Sequence, residues 1–363
     1  QYQKRYRRAK IRFSYCYNTP MKILGIETSC DETAASVVED GTKELAFVVA
    51  SSKDFHEKTG GVVPEVAARK QVEYIVPVLD QVFSQVPKEQ IDAIAVTQGP
   101  GLIGSLIVGI EAAKALSLAL NKPLIAVNHL VAHFYANFLT YSPKEIKFPA
   151  LVLVVSGGHT DLVLMLEHGN LKHLGSTIDD AAGEAFDKTA RILGIGDYLG
   201  GVKLSNKAAE CKENTLAGLL PRPMLDKDTY DFSFSGLKTA AKRIVEEAEI
   251  GDSEDLRKNY SVEALACEFE TAVVDVLVGK TIRAACAFNV KSLLIGGGVA
   301  ANTSLRTRLQ NEVANLGIQL FLPKIRLCGD NASTVASAGY FNQRFVSFSE
   351  LTPKPSLTIM DTC

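Results

Sequence analysis

The chain has 363 residues, of which 47% are hydrophobic and 22% charged, and its formal net charge is −2. This composition is typical of a globular protein with room for two domains of ordinary size. It excludes a global positive field for nucleic acid, so a nucleic-acid partner would need a local basic patch or a surface supplied by another subunit. The seven cysteines are scattered, without a C-x-x-C pair, which argues against a disulfide framework and a cysteine-ligated zinc. No apolar run is expected to span a bilayer.

The first twenty residues carry six lysines and arginines and no acid, and they lack the apolar region of a secretory signal. We expect Met21 to be the true start and residues 1–20 to be translated upstream sequence that is disordered. A basic organelle-targeting arm and an RNA-binding arm are the alternatives.

From Met21 the sequence pattern predicts a strand, a hairpin and then alternating strands and helices. Strands are predicted at Lys22–Ile26, Ala35–Glu39, Leu45–Val49, Ile91–Val96 and Leu124–Val127. Asp40-Gly41 is a hairpin turn signal. Pro64 opens a helix to about Phe83, which Pro77 is expected to kink or split. Further helices are predicted from the Gly99-Pro100-Gly101 break to about Leu120 and around His129.

The second half repeats this order of elements. Strands are predicted at Ala150–Val155, Leu162–Leu166, Leu293–Ile295 and Ile318–Phe321, and helices at about 180–193, 262–287, from 304, and at about 331–344. Each half thus has a leading hairpin followed by strands that alternate with helices. We expect two similar lobes that face one cleft, with ligands beyond the carboxyl ends of the strands.

Two histidines at helical spacing predict a metal site. His129 and His133 are four residues apart, so a helix places them on one face. Asp330 can complete the site if the fold returns it to that face. The residues between the histidines are apolar, and a zinc protease of the H-E-x-x-H type needs a glutamate there as its general base. Peptide hydrolysis is therefore disfavoured.

Four further segments have residue types that suit a nucleotide or phosphate. Glycines allow close backbone approach, hydroxyls and backbone N–H groups bind phosphate, and acids and amides accept or donate hydrogen bonds. Each segment also fits a structural role as a polar turn, a glycine hairpin, a solvated helical face or a strand–helix turn. The segments are Glu27–Thr33, Val155–Thr160, Gly183–Lys188 and Gly296–Asn302.

Taken together, the motifs resemble the TsaD family, the tRNA N6-adenosine threonylcarbamoyltransferases, and the match extends from about Met21 to Arg344. The motifs that carry the resemblance are Ile26–Thr33, Gly60–Glu65, Gly99–Leu106, His129 with His133, Val155–Thr160, Asp179–Thr189, Phe232–Thr239, Gly297–Asn302 and Cys328–Asn331.

The resemblance implies an α/β fold of the actin-like ASKHA class. Two RNase-H-like lobes, with mixed β-sheets flanked by helices, would surround a central cleft. We divide the chain into the extension at 1–20, an N-terminal lobe at 21–126, a C-terminal lobe at 127–330 and a tail at 347–363. The helix at 331–346 would pack back on the N-terminal lobe.

The resemblance also implies a reaction, in which a threonylcarbamoyl group moves from threonylcarbamoyl-AMP to the N6 amine of the adenosine 3′ of the anticodon in tRNAs that read ANN codons. It implies a divalent metal, iron(II) in preference to zinc, on His129, His133 and Asp330. The adenylate, or ATP or AMP in its place, would bind to Val154, Val155, Ser156, Gly157, Gly158, Asp187, Gly200, Gly201 and Asn302.

The amine proton must pass to a base, and Asp31 or Glu32 is the candidate. Ser235 and Lys238 are candidates to contact tRNA phosphate. The partners implied by the family are tRNA, TsaB-like and TsaE-like proteins, and a TsaC-type enzyme that supplies the adenylate, with no membrane. We expect a cytoplasmic protein, or an organelle matrix protein if residues 1–20 are a targeting arm.

The chain departs from the family pattern at three places. Val131 stands where the family usually has glutamate between the histidines. The family's Tyr-Pro-Gly-Gly-Pro is Tyr198-Leu199-Gly200-Gly201-Val202, and its Arg-x-His is Arg69-Lys70-Gln71. Two other functions remain open: a non-catalytic scaffold subunit of the same tRNA-modifying complex, and an ATP-using kinase or carbamoyltransferase of the same fold.

Overall fold

The computed structural model describes residues 20–250 and 260–361. The expectations for the basic N-terminal segment fall on residues 1–19, which lie outside the described residues. The chain forms two compact units. Among the described residues, unit 1 comprises 20–55, 62–143 and 329–361, and unit 2 comprises 56–61, 144–250 and 260–328. Unit 1 therefore extends to Pro143, beyond the boundary expected at residue 126, and it includes the helix of His129 and His133.

The strands are β1 (Lys22–Glu27), β2 (Glu32–Glu39), β3 (Lys43–Ser51), β4 (Ala93–Gly99), β5 (Leu124–Asn128), β6 (Ala150–Val155), β7 (Thr160–Glu167), β8 (Asn170–Ser176), β9 (Ser292–Gly296), β10 (Gln319–Phe321) and β11 (Phe345–Val346). The α-helices are α1 (Lys53–Thr59), α2 (Pro64–Gln85), α3 (Ile103–Leu120), α4 (His129–Tyr135), α5 (Ala182–Ile192), α6 (Gly200–Glu210), α7 (Ser235–Ile250), α8 (Val262–Ala287), α9 (Thr303–Val313) and α10 (Ala332–Asn342). Short 3₁₀ helices occupy Lys88–Gln90, Gly298–Ala301 and Ile325–Leu327.

Each unit is built on one mixed sheet, and the two sheets share a strand order. The sheet of unit 1 has the order β11-β5-β4-β1-β2-β3, and that of unit 2 has the order β10-β9-β6-β7-β8. In each sheet, the first three strands in chain order pair antiparallel with their neighbours. The first of these strands also pairs in parallel with a strand that follows a helix. The architectural repeat predicted from the sequence is therefore confirmed.

The hairpin turn between β2 and β3 follows its sequence signal. Asp40 and Gly41 have φ angles of 50° and 67°. Positive φ at both central residues is what a tight two-residue hairpin requires, and Asp-Gly tolerates it best.

Helix α2 continues through Pro77, so the expected split is wrong. A proline removes one helical N–H and leaves the carbonyl four residues earlier without its donor. That carbonyl belongs to Glu73, and both Glu73 and Pro77 are exposed. The unmatched carbonyl therefore lies on the solvent side of the helix, where its cost is smallest.

Among the described residues one helix, α3, is long and apolar enough to cross a membrane by length and composition alone. The expectation that no run meets this test is therefore wrong. One face of α3 packs into unit 1, where Leu106, Ile110 and Ala113 are fully buried in the core.

The C-terminal residues expected to form a tail pack into unit 1. Leu351 is fully buried, and the Gln98 side chain donates hydrogen bonds to the carbonyls of Glu350 and Thr352. The Asn128 side chain donates to the carbonyls of Thr358 and Asp361. The segment thus lies against the carboxyl ends of β4 and β5, where the side chains of Gln98 and Asn128 supply donors for its backbone carbonyls.

Candidate metal centre and glycine-rich loops

The two histidines lie on a short helix that begins directly after β5. Asn128 caps α4, and its side-chain oxygen accepts hydrogen bonds from the N–H groups of Leu130 and Val131 at 3.0 and 3.4 Å. Asparagine at this position stabilises a helix start because it satisfies N–H groups that have no helical partner. The cap fixes the first turn, so His129 and His133 present their rings on one face, with centroids 4.5 Å apart.

Asp330 returns to this face, as the sequence required for a metal site. Its Oδ1 lies 3.4 Å from Nε2 of His129 and 3.8 Å from Nε2 of His133. One ligand atom from each of the three residues lies within 4.8 Å of the others. The position of Asp330 is set by α10, which begins two residues later, is capped by the side chain of Asn331 and packs against α4.

The charges around this cluster favour a bound cation. Burial would lower the pKa of His129, but the neighbouring carboxylates of Glu27 and Asp330 raise it. Burial raises the pKa of Asp330; His129 lowers it, and the acids Glu27, Glu32 and Asp31 raise it further. Four acids thus share a site in which His129 is the nearest base. A divalent ion on two imidazoles and a carboxylate fits this donor set and offsets the negative charge.

Of the two candidate proton acceptors, Asp31 lies on the turn between β1 and β2, and Glu32 is the first residue of β2. Glu32 pairs with Lys53, with Nζ and Oε1 2.6 Å apart. Burial raises the pKa of Glu32, and Lys53 opposes that shift. Asp31 is partly exposed, and its carbonyl accepts hydrogen bonds from the backbone and hydroxyl of Ser52. Glu32 is therefore committed to an ion pair with Lys53.

In unit 2, the loop after β6 is shaped by close backbone contacts. Val154 and Val155 are fully buried, so their side chains belong to the core, while Gly157 and Gly158 are exposed. The carbonyl of Ser156 accepts a hydrogen bond from Gly183 at the start of α5. A Cβ on Gly297, whose φ is 94°, would lie 2.3 Å from the carbonyl oxygen of Val155. The glycine-rich segments after β6 and β9 therefore lie side by side, as predicted for strand ends of one sheet.

Asp187 lies on α5, and its carboxylate contacts the start of α6. Its Oδ1 accepts a hydrogen bond from the N–H of Gly201 at 2.7 Å. Burial raises the pKa of Asp187, and this bond lowers it. Leu199, immediately before α6, has a φ of 52°, a left-handed conformation that is uncommon for a branched side chain. The structure thus brings Asp187, Gly200 and Gly201 together.

Asn302 has a structural role that the sequence did not predict. Its side-chain oxygen accepts the Leu305 N–H and caps α9, and its amide nitrogen donates to Ser205 Oγ at 3.0 Å and to Glu270 Oε1 at 2.6 Å. Asn302 therefore joins α6, α8 and α9 within unit 2.

The two polar motifs at 179–189 and 232–239 contact each other. The Asp179 carboxylate accepts hydrogen bonds from Phe234 N, Ser235 N and Ser233 Oγ. The ammonium groups of Lys188 and Lys238 both contact Asp180. Lys238 is thus held in an ion pair and not extended from the surface.

The roles of two buried residues near the cluster of His129, His133 and Asp330, namely Glu27 and Gln71, do not follow from the sequence motifs. In the sequence, Glu27 is part of a polar segment and Gln71 is a departure from a family motif. A buried acid at the end of β1 and a polar residue on the buried face of α2 are the signals that mark them, since buried polar groups require partners.

Comparison with known proteins gives consistent results. The family model for TsaD, tRNA N6-adenosine threonylcarbamoyltransferase, matches residues 43–337. A protein of that name from Syntrophomonas wolfei is 48% identical over 331 residues, which cover 91% of this chain and 94% of the relative. One from Bacillus cereus is 51% identical over 320 residues, covering 87% and 90%.

Among solved structures, HypF from T. kodakarensis superposes with a TM-score of 0.57 at 13% identity, covering 89% of this chain and 48% of HypF. At that identity the likeness concerns the fold alone. The expected actin-like ASKHA class, with two mixed sheets flanked by helices, is confirmed.

Proposed function

Because the chain belongs to the TsaD family of tRNA N6-adenosine threonylcarbamoyltransferases, we propose that it transfers the threonylcarbamoyl group of threonylcarbamoyl-AMP to the N6 amine of the adenosine 3′ of the anticodon in tRNAs that read ANN codons. The observation that carries the proposal is the cluster of His129, His133 and Asp330 in a chain about half identical to its relatives.

We assign a divalent ion to these three side chains, iron(II) in preference to zinc. Two imidazoles and one carboxylate are the protein ligands of many non-haem iron(II) sites and also suit catalytic zinc. When bound, the ion would supply a template and a Lewis acid for the substrate.

The nucleotide part of the donor is assigned to unit 2. The exposed Gly157 and Gly158 allow a phosphate to approach the backbone, with Ser156 adding a hydroxyl. Asp187 offers a partly exposed carboxylate for ribose hydroxyls beside Gly200 and Gly201. Val154 and Val155 would contribute backbone groups only. Asn302 would act chiefly through the helices that it joins.

Transfer requires a proton acceptor for the attacking amine. The N6 nitrogen forms a bond to the carbonyl carbon of the mixed anhydride, the bond from that carbon to the phosphate oxygen breaks, and AMP leaves with the electron pair. The amine proton must pass to a base. We assign this role to Asp31 or Glu32, of which Glu32 is paired with Lys53.

We propose tRNA, TsaB-like and TsaE-like proteins as partners and a TsaC-type enzyme as the source of the adenylate. The net charge of −2 supports a need for partners in tRNA binding. The cytoplasm, where tRNA is modified, is the proposed location, or an organelle matrix if residues 1–20 are a targeting arm.

The test is tRNA modification by the purified protein with threonylcarbamoyl-AMP, with and without the partner proteins. We expect modified adenosine from the wild type and from the control His173→Ala, whose histidine is on β8 of unit 2. His133→Ala should abolish product and lower the content of bound metal. Absence of product from the wild type with all partners present would contradict the proposal and favour a scaffold subunit.

A further inference from the structure

Glu27, the last residue of β1, has a buried carboxylate beside the side-chain cluster of His129, His133 and Asp330. It is 1% exposed. Its Oε1 accepts the N–H of Ser29, and its Oε2 accepts the hydroxyl of Thr97 at 2.7 Å. The same Oε2 lies 3.1 Å from Nδ1 of His129. Both oxygens are thus engaged, and one of them contacts the histidine ring.

The orientation of this carboxylate is set by the sheet. Strands β1 and β4 pair in parallel, with Ile26 opposite Val96. Glu27 and Thr97 are the next residues on these strands, so they lie side by side at the carboxyl ends. Thr97 is fully buried and its hydroxyl is directed at Glu27. The carboxylate is therefore held by two donors that do not depend on His129.

The two nitrogens of the His129 ring have different surroundings. Nε2 lies 3.4 Å from Asp330 Oδ1, on the side of the metal cluster. Nδ1 faces Glu27 Oε2, with the Ser29 hydroxyl at 3.3 Å. An ionised carboxylate only accepts hydrogen bonds, so this contact favours a proton on Nδ1 and leaves the lone pair of Nε2 for a ligand.

We propose that Glu27 is the positioning residue of the metal centre: it holds His129 with Nδ1–H toward its own carboxylate and Nε2 toward Asp330, and so sets the affinity of the site for its divalent ion. The inference rests on the proposed function, because it requires a metal on His129. A carboxylate that accepts the outer N–H of a metal-bound histidine fixes the ring and makes it a better ligand, and its loss typically weakens metal binding about 10- to 100-fold.

The experiment measures binding of zinc(II) and cobalt(II) to the apo full-length protein by competition with a chromophoric chelator. We expect Glu27→Gln to weaken both ions about 10- to 100-fold and to change the visible spectrum of the cobalt form. The matched control is Glu39→Gln, which removes a carboxylate of unit 1 paired with the exposed Lys43. It should bind like the wild type.

The outcomes separate the two proposals. A wild type that binds neither ion would overturn the metal site and the inference with it. If the wild type binds the ions and Glu27→Gln binds them with the same affinity, the inference is overturned but the metal site is not. If Glu27→Gln does not fold, Glu27→Asp decides: its carboxylate is one methylene further from His129, so weaker binding supports the proposal and unchanged binding contradicts it.

Discussion

Gln71 holds the turn that carries the candidate proton acceptors. It is fully buried on α2, and its amide nitrogen lies within 3.4 Å of the carbonyl of Thr28 and within 3.0 and 3.1 Å of those of Cys30 and Glu32. An amide NH₂ suits this position because it carries two donors. Gln71 thus joins α2 to the turn through three backbone carbonyls.

Replacing Gln71 with leucine should therefore loosen the turn of Asp31 and Glu32. Leaving buried carbonyls without donors costs about 1–3 kcal/mol, so we expect a lower melting temperature. We also expect kcat for tRNA modification to fall while the zinc affinity of the histidine cluster stays near the wild-type value. Gln71→His, which restores a donor, should recover much of kcat.

Gln85→Leu, an exposed change on the same helix, is the control. Wild-type kcat in Gln71→Leu would show that the turn does not need this residue.

At the residue scale, spacing made the pairing of His129 and His133 predictable but not the roles of their neighbours. His129 and His133 are one helical turn apart, and the period of the helix alone places them together. The roles of Glu27 and Gln71 depend on which strand lies beside β1 and which face of α2 is buried. Those are properties of the assembled sheet, which no local pattern contains.

At the scale of elements, α10 packs on the sheet of unit 1 through small residues. A Cβ on Gly25 of β1 would lie 2.1 Å from the carbonyl oxygen of Ala332. A Cβ on Gly339 would lie 2.8 Å from the Cβ of Ala95 on β4. The helix can approach this closely only because these positions lack side chains, and the approach fixes the position of Asp330 just ahead of it.

Gly25→Ala should therefore displace α10 and disturb the metal site. A methyl group forced into a packed contact costs about 1–3 kcal/mol, so we expect a lower melting temperature and weaker zinc binding in the chelator assay. The control is Gly236→Ala on α7, where an added Cβ meets nothing within 4 Å. Equal stability and zinc affinity in the two variants would show that the contact tolerates a side chain.

Long, apolar elements were predicted closely, whereas helices that begin with turn-favouring residues and strands with exposed residues were missed. Helix α8 spans Val262–Ala287, the range predicted from its pattern, and it is capped by Ser261. Helix α6 begins with two glycines and α7 with Ser-Gly, residues that favour turns over helices, and neither helix was predicted. Strand β8 is largely exposed, so it lacks the apolar alternation that marks a strand.

At the scale of the whole molecule, the repeated order of strands and helices was predictable because each half carries the same succession of patterns. Two sheets with the same leading hairpin and the same parallel partners follow from it. The helical faces available to partners were not predictable, since the sequence does not reveal which apolar residues stay outside the core.

One such face belongs to unit 1. Helices α2 and α3 lie side by side, and a Cβ on Gly104 would be 3.1 Å from that of Ala68. Next to this contact, four apolar side chains on the two helices stay 45–63% exposed, namely Val72, Val76, Ile103 and Ile107. Exposed apolar groups that form a continuous stripe on two helices are typical of a protein interface. We expect the proposed TsaB-like partner to cover this stripe.

A charge placed in the stripe should therefore weaken the complex. In the complex, Val76→Glu or Ile107→Glu would bury an unpaired carboxylate, which costs at least about 1–3 kcal/mol. We therefore expect the affinity for the TsaB-like protein, measured by titration calorimetry, to fall by on the order of tenfold or more. Val49→Glu, at an exposed valine on β3, is the matched control. Zinc affinity should be unchanged in all three variants, because the stripe holds no metal ligand.

Unaltered partner affinity in both stripe variants would place the interface elsewhere, and loss of self-association in place of partner binding would identify a second copy of this chain as the occupant.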